Sequence, residues 1–537
     1  MSQIKPLVFF PPFVLCAVGI VASFVRPDWF QGAIAQASQW SAGTFGWLVS
    51  LASFAMVVLC GALFVSPFGR TVLGGPGASR LLTPWQMFAV VLTMNIAAGI
   101  LFWCAYEPVN YLTRPPLGIV PNSPDAAHFA ISTILLHWTF TPYCIPSVIG
   151  LMFAFAYYNM RRPFSLGAPL SPLLGRRGAR VAGPLVDAIC LYALLAAIAA
   201  ALAGAAMLLG SGVTHVWADW TGAGNQVAAA VPVQPSAQSA ATSSTTLAVI
   251  IAAIMATAIV AAVSGVTRGI RYIANVNTWF LIGFLALILF LGPTRFILNF
   301  AVEGLGQFLG NYFQKVLFTG AAHQDHFANS YTQMLLAAFF AWGPIMGAFL
   351  GRIAVGYTVR AFLFFNVALP ALFTGTWMAV FCAAIVYSER TAPGSLAGLL
   401  DDRDPTRVLF AFLGQLPLAG FLVPILLVTA FLSFVTTADG CTDTMANISS
   451  RGISPDEPES TGTLKFVWGA AIALLAWSMV ADKRLAGVRE LSNLGGYPAL
   501  ILGVAAAISA VKIIANPALY DRFHPNYPGA QPDEDQP

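Results

Sequence analysis

Charged side chains are scarce in this chain. Only 9% of its 537 residues are Asp, Glu, Lys or Arg, whereas a soluble domain carries roughly a quarter. Hydrophobic residues make up 58%, and the mean hydropathy is +0.76. This composition excludes a water-soluble globular protein, and the net charge of +4 reflects membrane topology and does not indicate a nucleic-acid partner.

Cysteine and histidine are also few and dispersed. The seven cysteines stand singly in or beside apolar segments without C-x-x-C spacing, which favours buried helix packing over disulfides or metal ligation. The six histidines are scattered too. His137, beside Trp138, has two interpretations that stay open, a packed polar residue of a helix or a proton relay.

Long apolar runs fill almost the whole chain. A helix needs about 20 apolar residues to cross the hydrocarbon core, and about twelve such runs are present. The first has no A-x-A-like cleavage site after it, so we expect a retained helix and not a signal peptide. The predicted spans are 6–25, 43–66, 84–106, 129–157, 183–211, 245–264, 272–292, 331–351, 361–387, 413–437, 463–481 and 496–515.

The basic residues predict the orientation of these spans. Lys and Arg are retained on the cytoplasmic side of short loops, and most of them fall there if both termini are cytoplasmic. We therefore expect a multi-pass protein of the cell inner membrane with both termini inside. The loop 212–244, without Lys or Arg, is predicted to be external. Residues 516–537 are predicted to form a disordered, solvated tail.

Three segments contain residues that interrupt helices. They are 94–99 in the third span, 342–347 in the eighth and 434–440 at the end of the tenth. A broken helix in lipid needs protein or a water-filled cavity to satisfy its backbone, so such breaks indicate a binding site. The alternative, that small residues merely permit close helix packing, stays open.

Aromatic residues cluster on the third, fourth and eighth spans. Aromatic faces attract cations without hydrogen-bonding them, which suits a methylated ammonium group. Lipid-facing or interfacial aromatics are the alternative. The residues are Phe102, Trp103, Tyr106, Trp138, Phe140, Tyr143, Phe339, Phe340 and Trp342.

Ordered motifs run along most of the chain. The third span ends with ILFWCAYEP at 100–108, a loop TRPPLGIVPNS follows at 113–123, the fourth span carries His137-Trp138 followed by Pro142, and GPTRFILN occupies 292–299. On these motifs, from about Val8 to Ala515, the chain resembles the betaine/choline/carnitine transporter family. The loop at 113–123 is most similar to the carnitine-exchanger branch.

The resemblance implies a homotrimer whose protomers are all-α membrane proteins with two peripheral helices and two inverted five-helix repeats, a LeuT-like fold. It divides the chain into five parts. These are residues 1–83 with the N-terminal tail and two additional helices, 84–292 with the first repeat, 293–330 with an amphipathic connecting helix and external loop, 331–515 with the second repeat, and 516–537 with a cytoplasmic acidic tail.

The resemblance also implies an aromatic box that binds the solute. Its positions correspond to Trp138, Tyr143, Phe339 and Trp342, while Ala338 and Pro146 stand where the family has a further tryptophan and a tyrosine. Choline-carrying members tend to place an Asp where this chain has Gly99. A buried cation without a counter-charge is costly, so a zwitterionic, betaine-like or carnitine-like solute is predicted, with choline or a related amine as the alternative.

A sodium site is the only cofactor-like feature that the resemblance suggests. Thr436 and Thr437 match the two hydroxyl residues that hold sodium, with backbone carbonyls of 94–99, Ile96 among them, as further oxygen ligands. In the exchangers an arginine of helix seven replaces the ion, and that position is Asn277 here. Threonine pairs also commonly bond back to their own helix. Sodium coupling is predicted, with proton coupling or exchange as alternatives.

Two other classes of function compete with a transporter. A membrane-embedded enzyme needs convergent catalytic groups, but Glu107, Asp187 and Asp439 are single carboxylates on separate spans. A channel would show a repeated polar stripe along its helices, which the sequence lacks. We therefore predict a transporter without enzymatic activity, whose partners are a small solute, the lipid bilayer and two copies of itself.

Overall fold

The computed structural model describes residues 4–96, 99–220, 243–264, 269–322, 325–400, 406–455, 459–481 and 485–528. In these ranges the β structure is limited to two isolated bridges, so the predicted all-α class is confirmed. The helices are α1 Pro6–Val25, α2 Pro27–Val65, α3 Pro84–Ile96, α4 Gly99–Thr113, α5 Pro124–Trp138, α6 Phe140–Ala154, α7 Ser171–Trp220, α8 Ser244–Ser264, α9 Gly269–Leu291, α10 Thr294–Val316, α11 Gln333–Ile353, α12 Val359–Leu363, α13 Leu369–Thr391, α14 Arg407–Gly414, α15 Ala419–Ile448, α16 Gly462–Ala481 and α17 Leu485–Ala515.

The number of apolar helices agrees with the predicted spans. In the described part of the chain, 10 helices are long and apolar enough to cross a membrane, and the bent pair of α3 and α4 makes an eleventh span. The 20-residue α1 corresponds to the first predicted span. The chain is therefore a multi-pass membrane protein. The division into two five-helix repeats and the domain boundaries remain predictions.

The predictions of two solvent-exposed segments, the loop 212–244 and the C-terminal tail, are wrong in part. α7 continues to Trp220, so the predicted loop 212–244 begins later than expected, and residues 221–242 lie outside the described residues. The C-terminal segment is packed at Asp521, which is buried and whose Oδ1 accepts from Asn159 Nδ2 at 3.0 Å, while most of residues 522–528 are exposed. Residues 529–537 lie outside the described ranges.

Both chain ends pack against the same stretch of backbone. Lys5 Nζ donates to the carbonyls of Phe164 at 3.2 Å and Ile448 at 3.0 Å, and the backbone N–H of Arg522 donates to the Asn159 carbonyl at 3.3 Å. Since Asn159 and Phe164 are only five residues apart, Lys5 and Arg522, near the two ends of the described chain, lie on the same face of the bundle. Burial lowers the pKa of Lys5, against the raising effect of Asp187.

Only one of the three predicted helix interruptions is present. α3 and α4 meet at an angle of 53° across the segment 94–99, as predicted. By contrast, α11 is helical through 342–347, and α15 is helical through 434–440 and on to Ile448. The predicted breaks in the eighth and tenth spans are therefore wrong.

The small residues of α11 serve close helix packing instead. A Cβ atom on Gly347 would lie 2.8 Å from the backbone nitrogen of Gly150 in α6, and one on Gly351 would lie 2.6 Å from the Gly150 carbonyl oxygen. Such contacts are shorter than any side chain allows, so the glycines let the two backbones touch. The alternative reading of this run, helix packing, is the one observed.

α10 is the predicted amphipathic helix between the two halves. Its inner face buries Phe300, Gly304 and Phe308, and a Cβ on Gly304 would collide with Ile131 of α5. Lys315 near its end donates to Thr133 Oγ1 at 2.7 Å, and burial lowers the pKa of Lys315 to about 7. α10 is thus anchored on α5.

A buried charge cluster joins α11, α15 and α16 on the face that carries the termini. Asp443 accepts from Arg352 Nη1, and its Oδ1 lies 2.7 Å from Lys465 Nζ. Glu459, 39% exposed, lies 3.8 Å from Arg352 and 3.5 Å from Lys465. Breaking a buried ion pair by removing one partner is strongly destabilising, so this cluster ties the three helices together.

Candidate functional site

The fourth predicted span is interrupted where its tryptophan lies. α5 ends at Trp138, and Thr139 has φ −111° and ψ −140° before α6 begins. Pro142 lacks the N–H that would donate to the Trp138 carbonyl in a continuous helix. The hydroxyl of Thr374 in α13 donates to that carbonyl at 2.5 Å. A break that the sequence did not predict is therefore satisfied by a neighbouring helix.

Close approach of α13 makes this hydrogen bond possible. The residue after Thr374 is Gly375, and a Cβ atom there would lie 3.1 Å from Thr139 Cγ2 and 3.9 Å from Leu135 Cδ2. A larger side chain would push α13 away from the break. The Pro370 carbonyl lies 2.7 Å from the same hydroxyl oxygen, so the one hydroxyl hydrogen is shared between two carbonyls of which one belongs to its own helix.

Three of the four predicted box residues contact one another. The Phe339 ring meets Trp138 at a centroid distance of 6.2 Å and Tyr143 at 6.1 Å, edge to face in both pairs. Trp138 and Tyr143 are buried, while Phe339 is half-buried. Trp342 lies one turn along α11, half-buried, and it contacts no other ring of the described residues. The rings of α5, α6 and α11 thus form a common aromatic surface.

Gly99 lies against the indole of Trp138. A Cβ atom on Gly99 would collide with Trp138 Cη2 and would lie 2.6 Å from Cζ3. Glycine is required here because the start of α4 touches the ring, so an Asp at this position would displace Trp138 before it could act as a counter-charge. Gly99 therefore shapes the box by packing.

The opposite edge of the same indole reaches a carboxylate. Trp138 Nε1 donates to Glu107 Oε2 at 3.3 Å, and His137 Nδ1 lies 3.3 Å from the same oxygen. His137 Nε2 lies 2.9 Å from Thr332 Oγ1. Glu107 and Gly99 are eight residues apart in α4, or about 12 Å, so the indole lies along α4 between them.

Sequence reasoning missed this group. It noted Glu107 and His137 as isolated residues of separate spans, because nothing in their spacing along the chain indicates that α4 and α5 bring them together. Glu107, His137 and Thr332 are all at most 5% exposed. The available signal was that each is a polar residue in an apolar helix, and such residues usually face the interior of a bundle.

The predicted sodium-binding threonines lie side by side in α15. Thr436 Oγ1 donates to the Leu432 carbonyl at 2.8 Å and Thr437 Oγ1 to the Ser433 carbonyl at 3.1 Å. Both hydroxyl hydrogens are thus directed back along the helix. A hydroxyl that donates its hydrogen keeps two acceptor lone pairs, which is compatible with coordination of a hard cation.

Two neighbouring helices approach this pair. A Cβ on Gly440, one turn after Thr437, would collide with Met94 Cε at the end of α3. From α9, the buried Asn277 donates through Nδ2 to Ser433 Oγ at 2.8 Å. Asn277 therefore lies next to the pair, as the resemblance implies. Residues 97–98 and the side chain of Ile96 lie outside the described part, so its predicted role is untested.

Comparison with known sequences gives a consistent result. A family model described as BCCT, betaine/carnitine/choline family transporter, matches residues 7–518. The chain is 24% identical over 473 residues to the probable glycine betaine transporter of Desulfitobacterium hafniense, across 88% of this chain and 89% of that one. It is 27% identical over 500 residues to the high-affinity choline transport protein of Escherichia coli, across 93% and 70%.

A further relative is glycine betaine transporter 1 of Vibrio parahaemolyticus, 29% identical over 447 residues, which are 81% of this chain and 79% of that one. These relatives are named as transport proteins, which points away from an enzyme. Among solved structures, a sodium-coupled sialic acid symporter covers 89% of this chain and 84% of its own at 12% identity and a TM-score of 0.36. That likeness is too weak to assign a fold or a function.

The hydrogen bond from Thr374 generates the first prediction. Thr374→Val should leave the Trp138 carbonyl unpaired and lower stability by about 1–3 kcal/mol, seen as a lower midpoint of thermal unfolding of the purified protein. Thr374→Ser should keep most of the wild-type stability. Thr376→Val is the matched control, since Thr376 is exposed and bonds only to the Leu372 carbonyl of its own helix. Equal unfolding midpoints of Thr374→Val and Thr376→Val would contradict the assignment.

Proposed function

Because the chain belongs to the betaine/carnitine/choline transporter family, we propose that it moves a small quaternary-ammonium-type solute across the inner membrane by alternating access. The solute class is zwitterionic, of the betaine or carnitine type, and transport is coupled to sodium. Proton coupling and sodium-independent exchange are the alternatives for the driving force. Membership in a transporter family, not an enzyme family, sets the class of function.

The contact of Phe339 with both Trp138 and Tyr143 is the observation that carries this proposal. A trimethylammonium group has no N–H to donate, so its recognition depends on ring faces. Three rings from three helices, at a point where α5 breaks and α4 begins, offer such faces within the bundle. The neighbouring break between α3 and α4 supports a central site, since interrupted helices mark such sites in transporters.

The contacts of Glu107 bear on the choice between a zwitterion and a bare cation. Its Oε2 atom already lies within hydrogen-bond distance of Trp138 and His137, so its charge is engaged within the protein. A zwitterion brings its own carboxylate and loses less on leaving water. Choline is nevertheless a second candidate, because the structure places the carboxylate of Glu107 beside Trp138, where it could serve as a counter-charge for a cation. Nothing in the sequence indicated this proximity.

Three observations support sodium as the coupling ion. Thr436 and Thr437 present neutral oxygens side by side, Met94 of α3 lies close to their helix, and the neighbouring Asn277 carries no charge. Hard cations prefer oxygen ligands. A positively charged residue at position 277 would substitute for the sodium ion. Because Asn277 is neutral, the threonine oxygens remain available to bind sodium.

We also propose a homotrimer with both termini cytoplasmic. The two chain ends lie on the same face, and the excess of basic residues supports the cytoplasmic side for that face. For the trimer, α10 supports an interface, because besides its buried stripe it exposes a second apolar stripe at helical spacing. That stripe consists of Leu298, Val302, Leu305, Leu309 and Phe313.

The aromatic box generates a prediction on affinity. Trp138→Ala or Trp342→Ala should weaken the apparent solute affinity about five- to thirtyfold, the equivalent of a desolvated cation–π contact of about 1–2 kcal/mol. Phe replacements should retain much of it. Competition binding with glycine betaine and carnitine measures the effect. Trp477→Ala in α16 is the control and should bind normally. Normal binding by folded Trp138→Ala and Trp342→Ala proteins would show that the box is assigned wrongly.

Glu107 generates a prediction on selectivity. Zwitterions should compete for uptake better than choline, and Glu107→Gln should preserve that order, because the solute brings its own counter-charge. Glu303→Gln is a matched control, since Glu303 forms an exposed pair with His128 at 2.6 Å. The choline alternative is correct under two conditions. Choline must be the best competitor for uptake by the unmodified protein and by Glu303→Gln, and it must lose that rank in Glu107→Gln.

The threonine pair generates a prediction on coupling. Replacing sodium by potassium at fixed pH should abolish concentrative uptake into proteoliposomes. Thr436→Ala and Thr437→Ala should raise the sodium concentration for half-maximal uptake about tenfold, as expected for a lost ligand of about 1.4 kcal/mol. Thr429→Ala is the matched control, as Thr429 is buried in the same helix with the same back-bond. Uptake that is indifferent to sodium would eliminate the site.

A further inference from the structure

A polar cavity of about 270 Å³ lies on the face of the bundle that carries both termini. Its walls come from two segments that are far apart in sequence, the stretch after α6 up to the first turns of α7, and the C-terminal segment. Since one water occupies about 30 Å³ of liquid, the cavity has room for a group of phosphate-ester size. The lining residues are Met160, Arg162, Ser171, Pro172, Gly175, Arg176, Leu519, Tyr520 and Tyr527.

The charged residues that line this cavity, Arg162 and Arg176, are both basic. Arg162 Nε is buried without a hydrogen-bond partner among the described residues. Burial lowers the pKa of Arg162, the positive charges of Arg176, Arg522 and Arg180 lower it further, and Tyr527 opposes them. No carboxylate is among the described groups that act on Arg162. A guanidinium left in this state gains from an anion that accepts its free N–H.

The backbone adds to the positive potential. Gly175, with φ 69° and ψ 174°, interrupts α7 near its start, and the long continuous part of the helix begins at Arg176. The first turn of a helix has free N–H groups and the positive end of the helix dipole. Gly175 and Arg176 both line the cavity, so this helix end acts together with the arginine side chains.

We propose that this cavity binds a phosphate-bearing anion, either the headgroup of an anionic lipid or free phosphate. Arg162 and Arg176 supply charge-assisted hydrogen bonds, and the Tyr520 and Tyr527 hydroxyls are further donors. Basic pockets between helices at the cytoplasmic membrane surface recognise lipid headgroups in this way. Met160 and Leu519 give the cavity an apolar side on which the glycerol part of a lipid can rest. The site is independent of the solute site and of the coupling ion.

The two walls give the anion a structural effect. One wall belongs to residues 160–176 and the other to residues 519–527, so a bound phosphate would link the C-terminal segment to the start of α7. Next to the first wall, Asn159 already hydrogen-bonds to Asp521 and Arg522 of the C-terminal segment. Binding should therefore stabilise the folded protein in proportion to ligand concentration.

The test is thermal unfolding of the purified full-length protein with three probes at constant ionic strength. The probes are inorganic phosphate, short-chain phosphatidylglycerol and short-chain phosphatidylcholine. Stabilisation by phosphate, by phosphatidylglycerol or by both supports the proposal. An effect of phosphatidylglycerol alone identifies the lipid as the source, and an effect of phosphate alone identifies free phosphate. No stabilisation by either, or equal stabilisation by phosphatidylcholine, overturns it.

Variants locate the effect. Arg162→Gln and Arg176→Gln should each raise the concentration of phosphate or phosphatidylglycerol for half-maximal stabilisation about fivefold, as expected for one basic residue at an anionic headgroup. Arg162→Lys keeps the positive charge and is the control for a folding defect at this position. Arg177→Gln is the matched control, because Arg177 is exposed and does not line the cavity. An equal loss in Arg177→Gln overturns the site. The proposal is also overturned if phosphate and phosphatidylglycerol bind only after residues 529–537 are removed. In that case the acidic residues Asp533, Glu534 and Asp535 of the chain itself would be the native occupant of the cavity.

Discussion

A helix inside hydrocarbon cannot leave a backbone carbonyl unpaired, and the site depends on how one such carbonyl is satisfied. Pro142 removes the donor for the Trp138 carbonyl, and the Thr374 hydroxyl replaces it at 2.5 Å. An unsatisfied buried carbonyl costs about 1–3 kcal/mol, so α13 stabilises the break by staying close. That close approach fits the small residue Gly375.

The sequence predicts the number and class of helices well, because apolar length reports directly on membrane crossing. It predicts breaks less well. Segment 94–99 does interrupt its span, but the similar glycine and proline run at 342–347 continues as a helix, with Gly347 and Gly351 against Gly150. Small residues permit both a break and a close contact, and only the partner helix decides between them. The break at Thr139 escaped notice because Pro142 could equally have been a tolerated kink.

Contacts between spans are the other part that sequence could not supply. The resemblance identified the box positions one by one, but not that Phe339 touches both Trp138 and Tyr143 while Trp342 stands apart. It also gave no indication that Glu107 and His137 meet at the indole N–H. Interhelical hydrogen bonds in a membrane protein join residues of separate spans, so no spacing along one helix encodes them.

These contacts mean that Trp138 is positioned by three neighbouring helices at once. Gly99 of α4 packs on one edge of the indole, Glu107 of the same helix accepts from the other edge, Phe339 of α11 meets it edge to face, and Thr374 of α13 holds its carbonyl. Any relative motion of α4 against α5 must therefore alter the ring and the carboxylate together. A solute that replaces one of these contacts can shift the equilibrium between two arrangements of α4 and α5. The size of the shift equals the difference between the solute's binding free energies for the two arrangements. Under the proposed function, Trp138 is thus also the point at which solute binding can act on helix positions.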